Sequence, residues 1–195
     1  MSDALSLRRR QPLVLADLVP GALLRDVVLV VAAAGFVGAL AQISIHLSWT
    51  PVPITGQTLG VLVSGTALGW KRGGLAMILY GAAGLAGVPW FADHTHGYPG
   101  ATFGYVIGFV ACAALCGFLA ERGASRSVRR SIPAMIVGEL VLYAFGVSWL
   151  AISLNVGLGT ALHLGFTPFV AGDAIKAGIA ALLLPGAFKL ATWRS

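Results

Sequence analysis

Long apolar runs separated by short polar breaks make up most of this chain, and they predict helices that span a membrane. Six such runs occupy about residues 26–46, 54–70, 73–88, 102–120, 132–153 and 168–188. A helical crossing needs about 20 apolar residues. The second and third runs are short by that measure. They are expected to begin or end in re-entrant or cavity-lining backbone, which is tolerated only where protein or water satisfies its polar groups. Residues 1–25 are polar and lack a signal-peptide cleavage pattern beside a short apolar core. Within them, residues 14–24 are expected to lie as an interfacial helix. The expected organisation is a cytoplasmic or interfacial segment (1–25), a six-helix membrane domain (26–190) and a cytoplasmic tail (191–195).

Composition supports the same class. Of 195 residues, 57% are hydrophobic and only 10% are charged, and 26 glycines add to the apolar share. Soluble domains carry roughly 25% charged residues. A soluble fold of this size has too little interior for so much apolar surface, so the expected fold class is an all-α integral membrane protein, a bundle of six transmembrane helices. Disordered chains, disulfide-rich modules and most soluble enzymes are excluded.

The net charge of +6 would suit nucleic acid, but the positions of the charges do not. Arg8, Arg9, Arg10, Arg25, Lys71, Arg72, Arg122, Arg126, Arg129, Arg130, Lys189 and Arg194 lie before, after or between spans, all on one side. Residues 47–53, 89–101 and 154–167 contain no Lys or Arg. Positive-inside bias makes the basic side cytoplasmic and puts both termini there. This implies a multi-pass protein of the inner (cytoplasmic) membrane, with lipid around it and no nucleic-acid partner.

Small residues recur at every fourth position. Gly56, Gly60 and Ser64 form one row, and Gly100, Gly104, Gly108, Cys112 and Cys116 form another. Such rows let helix backbones approach closely. The two cysteines fit as small packing residues. Span one carries Ala34, Gly35, Gly38 and Ala39, which suit either packing inside the bundle or docking of another chain.

Seven acids exist in the chain, and only Glu139 and Asp173 fall within spans, with Lys176 beside the latter. A charge at the bilayer centre costs about 3 kcal/mol or more, which makes each a functional candidate. Asp173 and Lys176 are i and i+3 and share one helix face, about 9 Å and 13 Å from the outer end of span six at 1.5 Å per residue. One reading is a self-neutralising structural pair. The other is a ligand site, since Asp accepts and Lys donates hydrogen bonds and together they suit a polar head that does both. Glu139 lies far from the outer mouth and reads as a structural partner or a contact toward the inner face.

Two outer loops are positioned to cover an outward cavity. Residues 49–58 combine Pro51 and Pro53 with Thr55, Gln57 and Thr58, and residues 88–101 are aromatic and rich in Gly and Pro. Trp90 or Tyr98 can stack on a ligand there or can belong to the interfacial aromatic belt. Asp93-His94-Thr95-His96 supplies three potential metal ligands with no fourth nearby, and no metal is expected. Nor is a catalytic residue or a cofactor. Gly65 to Lys71 lacks phosphate-loop spacing, and G-x-S-x-G and H-E-x-x-H do not occur.

The stretch Val52-Pro53-Ile54-Thr55-Gly56-Gln57-Thr58-Leu59-Gly60-Val61-Leu62 resembles the hallmark of the BioY family. These are the biotin-specific substrate-capture (S) components of energy-coupling-factor (ECF) transporters. Arg72-Gly73-Gly74-Leu75-Ala76 with Tyr80 and Gly84 is similar to the family too, as is Gly87-Val88-Pro89-Trp90-Phe91-Ala92. Gly104-Tyr105 with Gly108-Phe109, Tyr143 to Gly146 with Trp149-Leu150, and Thr167-Pro168-Phe169 leading to Gly172-Asp173-Ala174-Ile175-Lys176 complete a resemblance over about residues 26–190. It implies six membrane helices that bind biotin from outside, a transmembrane coupling protein and ATPase subunits on other chains, and Asp173 and Lys176 as ligand-binding residues. Gln57, Thr55, Tyr105, Tyr143 and Trp90 are expected to complete the binding shell. In related groups small residues on the first helix meet the coupling protein, which favours docking at Ala34, Gly35, Gly38 and Ala39. The remaining rivals are capture of another vitamin, a stand-alone facilitator, and a small intramembrane enzyme using Asp173 and Glu139.

Overall fold

A computed structural model describes residues 14–18, 21 and 23–193. Arg8, Arg9, Arg10 and Arg194, on which part of the topology expectation rests, lie outside the described residues. The elements in order are α1 (Leu23–Ala41), β1 (Ser44–Ile45), β2 (Ile54–Thr55), α2 (Gln57–Leu68), α3 (Trp70–Leu85), α4 (Phe103–Glu121), α5 (Val128–Leu154), α6 (Leu158–Gly165) and α7 (Val170–Trp193). Among the described residues, four helical stretches are long and apolar enough to cross a membrane: Leu23–Ala41, Gly100–Glu121, Val128–Leu154 and Val170–Leu190.

The two short spans behave as their length requires. Helix α2 has 12 residues and α3 has 16, or about 18 Å and 24 Å, against a hydrocarbon core of about 30 Å. Irregular backbone precedes α2, as expected. β1 and β2 pair antiparallel, Ser44 with Thr55 and Ile45 with Ile54, and the Gly56 N–H donates to the carbonyls of Leu40 and Ile43, each at 3.1 Å. The end of α1 is thereby tied to the start of α2. One residue, Gly69, joins α2 to α3 at φ 84°, a left-handed conformation that disfavours any Cβ.

Both small-residue rows are contact lines. A Cβ on Gly60 would lie 3.0 Å from Val37 of α1, and one on Gly108 would lie 2.8 Å from the Leu142 carbonyl of α5. Cys112 and Cys116 are buried and unbridged, and they pack against Gly138 of α5. In lipid, such close approach supplies the dispersion contacts that hydrophobic burial supplies in water.

Two expectations need correction. The described residues within 14–24 do not form the expected interfacial helix. A 3-10 turn occupies Leu15–Leu18, and Val14 and Ala16 are buried in the core. Asp17 of that turn and Asp26 of α1 both pair with Arg72 at the start of α3, at 3.0 Å and 3.1 Å. Residues 154–167 hold the helix α6, whose Ala161 and Gly165 are buried. It escaped the hydropathy reading because eight residues fall below the length of a span. Helix α1 starts at Leu23 and α7 continues to Trp193.

Candidate functional site

Asp173 lies in the first turn of α7 and is 2% exposed. Its N–H donates to the Phe169 carbonyl at 2.8 Å, which fixes the start of the helix. One carboxylate oxygen, Oδ1, accepts from Thr58 Oγ1 at 2.9 Å and from Lys176 Nζ at 2.7 Å. The other, Oδ2, accepts from the hydroxyl of Tyr143 on α5. Thr58 belongs to the first turn of α2, where the helix dipole favours negative charge. Lys176 reaches one turn back along α7 to Asp173, and it also donates to the Thr55 carbonyl at 2.6 Å and to Thr58 Oγ1 at 2.9 Å. All three ammonium N–H donors therefore have partners. A largely buried pair of this kind is tolerated because all three ammonium protons and three acceptor sites of the carboxylate are matched.

Gln57 is buried and held from two sides. Its Nε2 donates to Tyr80 Oη at 2.7 Å, and its Oε1 accepts from Thr55 Oγ1 at 2.8 Å. The amide cannot turn without breaking both bonds.

These side chains meet at a cavity. Asp173, Lys176, Thr55, Gln57, Thr58 and Tyr143 supply its polar wall, while Phe91, Phe109, Leu142, Phe169 and Tyr105 supply its apolar wall. Val52 and Pro53 enter from the loop before α2, and Ala92, Thr95, Pro99 and Thr102 from the loop between α3 and α4. The second loop is anchored by Gln42 at the end of α1. Gln42 Nε2 donates to the carbonyls of Trp90 at 3.3 Å and Phe91 at 3.2 Å, and its Oε1 accepts the His94 N–H at 2.9 Å. The arrangement is a pocket with one mixed donor and acceptor patch and mostly aromatic sides. Such a pocket suits a small molecule with a compact polar head and an apolar body.

Of the seven expected ligand-contacting residues, six line this cavity: Asp173, Lys176, Gln57, Thr55, Tyr105 and Tyr143. The Tyr105 hydroxyl is committed to the Gly165 carbonyl of α6 at 2.7 Å, so that residue offers its ring. Trp90 is the exception and does not line the cavity. Its indole N–H donates to the Tyr80 carbonyl at 2.9 Å, and its ring stacks on Tyr80 at 5.4 Å. The neighbouring Phe91 faces the pocket instead. Alternation along an irregular loop decides which of two adjacent aromatics points inward, and a sequence does not reveal that phase. Thr58, Phe109 and Phe169 were missed as site residues, although all three stand in the quoted motifs. Thr58 was legible from its place one residue after Gln57 on a helix start facing the same loop.

Asp93, His94 and His96 form no metal cluster, and no group of three or more potential ligands comes together among the described residues. Asp93 instead approaches His46 Nε2 at 3.1 Å, linking the loop before α2 to the loop between α3 and α4. Glu139, expected far from the outer site, lines a second cavity that shares Tyr143 and Asp173 with the first.

The expected docking set is divided. Ala34 is fully buried, and a Cβ on Gly38 would lie 3.0 Å from Trp90 Cβ, so both pack inside the bundle. Gly35 and Ala39 are exposed, and a Cβ on Gly35 would meet nothing within 4 Å.

Comparison with known proteins gives consistent results. The BioY family model matches residues 9–192. A biotin transporter BioY of Rhizobium etli is 36% identical over 170 residues, covering 82% of this chain and 90% of that protein. A biotin transporter BioY of Thermotoga maritima is 38% identical over 146 residues, covering 73% and 83%. A crystal structure of the S-component for biotin from an ECF-type ABC transporter superposes with a TM-score of 0.77 at 25% identity, covering 85% of this chain and 92% of that one.

Proposed function

The chain belongs to the BioY family, and from that premise we propose that it is the biotin-capturing S component of an ECF-type uptake transporter. It is a multi-pass membrane protein and a component of a transporter rather than an enzyme. The observation that carries the assignment is the buried Asp173–Lys176 pair at the wall of a pocket roofed by both outer loops. A ureido head carries N–H donors for Asp173 and a carbonyl acceptor for Lys176. Thr55, Gln57 and Thr58 complete the polar patch, and Phe91, Phe109 and Phe169 pack the apolar body. Burial of Asp173 and Gln57 lowers the local dielectric and strengthens such bonds.

The membrane arrangement we assign has six crossings, α1 to α5 and α7, with α6 in the outer connection and both termini cytoplasmic. Residues 1–25 and 191–195 then flank the membrane domain on the cytoplasmic side of the inner membrane. Transport energy comes from other chains, a transmembrane coupling protein and ATPase subunits. Gly35 and Ala39 on the open face of α1 are the contact we assign to the coupling protein.

Uptake of labelled biotin into proteoliposomes tests this role. Accumulation is expected only when the coupling and ATPase subunits and ATP are included. Equal uptake by the chain alone would make it a facilitator, and absence of uptake of biotin alongside uptake of another vitamin would reassign the substrate.

A further inference from the structure

Glu139 stands outside the hydrogen-bonded network just described. It is 9% exposed, and its Oε1 is buried with no hydrogen-bond partner. The other side-chain oxygens in that condition among the described residues belong to Ser44 and Ser125, which carry no charge. Glu139 lies 11 residues into α5, about 16 Å from its start at 1.5 Å per residue, deep in the span. It borders the cavity between α5 and α7, whose other walls include Ile136, Leu140, Ala174 and Ala177. Tyr143 and Asp173 border both this cavity and the ligand pocket, so they form the partition between Glu139 and the site.

The surroundings of Glu139 can be enumerated. On α7 the charges acting on it are Asp173 and Lys176. Tyr143 on α5 and Cys112 on α4 also interact with it, and Cys116 is buried beside Cys112. Helix α2 contributes no titratable group. His163 of α6 borders a separate cleft with Trp49, and Arg126 lies over Phe188. Among the described residues, the cation that acts on Glu139 is Lys176, whose three donors are already engaged. With Glu139 ionised, the buried set of Asp173, Lys176 and Glu139 carries one net negative charge. With Glu139 protonated it is neutral. A ligand whose carboxylate lies at the far end of its apolar body from the head that meets Asp173 and Lys176 still adds a negative charge within the same pocket, and like charges repel across a low-dielectric interior.

We propose that Glu139 takes up a proton as an anionic ligand binds, making it a positioning residue that links ligand capture to proton uptake. The inference rests on the assignment of the first cavity to biotin. Binding of the anion favours the protonated form of Glu139, and by linkage the affinity for the anion falls as pH rises through the titration of that group.

The test measures the dissociation constant of biotin and of its uncharged methyl ester for the purified full chain between about pH 5.5 and 8.5, where a free ligand carboxylate stays ionised. For the wild type, biotin affinity should fall with pH, by at most about tenfold per pH unit for one linked proton. The ester should show a shallower profile. Glu139→Gln should bind biotin at all pH values with the slope flattened, and Glu139→Asp should restore a slope. As a measurement independent of any variant, biotin added to wild-type protein in weak buffer should draw protons from solution, and the ester should draw fewer. Parallel biotin profiles in wild type and Glu139→Gln, or absence of proton uptake, would overturn this inference alone. Absence of wild-type biotin binding at every pH would overturn the biotin assignment and this inference with it.

Discussion

Lys176 Nζ lies 2.6 Å from the backbone carbonyl of Thr55, 121 positions away in the chain. That bond ties α7 to the strand β2 that leads into α2, and it places the cation at the ligand pocket before any ligand arrives. The same ammonium donates to Thr58 and Asp173, so three elements of the site share one charged group.

The Thr58 hydroxyl both donates to Asp173 and accepts from Lys176. Thr58→Val keeps the shape and removes both bonds, leaving the buried pair less well matched. An unmatched buried polar group costs about 1–3 kcal/mol. Biotin binding should weaken about 5- to 150-fold with the fold retained, as read by titration and by thermal unfolding. Unchanged affinity would remove Thr58 from the site.

Phe91 and Trp90 should part company under mutation. Phe91→Ala opens the pocket wall and should weaken ligand binding more than it lowers thermal stability. Trp90→Ala removes the indole bond to Tyr80 and the stacking on its ring, and it leaves a void over Gly38. It should lower the unfolding temperature first, with ligand affinity falling only as the loop loosens. The reverse ordering would return Trp90 to the pocket.

Outward and inward faces of α1 give opposite outcomes. Gly35→Leu and Ala39→Leu project into open space and should weaken co-purification with a coupling protein while biotin binding survives. Gly38→Leu drives a side chain into Trp90 and should destabilise the bundle. Full assembly of both outward variants would remove the docking assignment.

Topology is checked by cysteine accessibility. With Cys112 and Cys116 replaced by Ala, single cysteines at positions 95 and 126 should label from opposite sides of the membrane, position 95 from outside. Labelling from one side would contradict the six-crossing arrangement.

Much of this arrangement was legible in the sequence because its signals are local. Apolar run length located the helices, four-residue spacing of small residues located their contacts, and the i, i+3 placement of Asp173 and Lys176 put them on one face. What escaped depended on tertiary register. The Tyr143–Asp173 bond and the partition it forms beside Glu139 require the relative rotation of α5 and α7, which no periodicity encodes. The burial of Ala34 and Gly38 against the exposure of Gly35 and Ala39 depends on where Trp90 settles. Helix α6 was too short to register as a hydropathy run.

The central claim is that Asp173 and Lys176 grip biotin in this pocket. Equilibrium binding of a vitamin panel to the purified protein in detergent, repeated for Asp173→Asn and Lys176→Ala, tests it most directly. Removing one partner strands the other, at about 2–5 kcal/mol, or roughly 30- to several-thousand-fold in affinity. The account predicts tight, biotin-selective binding by the wild type and its collapse in both variants, with thermal unfolding still cooperative. Wild-type affinity in both folded variants, or preference for another vitamin, would contradict it.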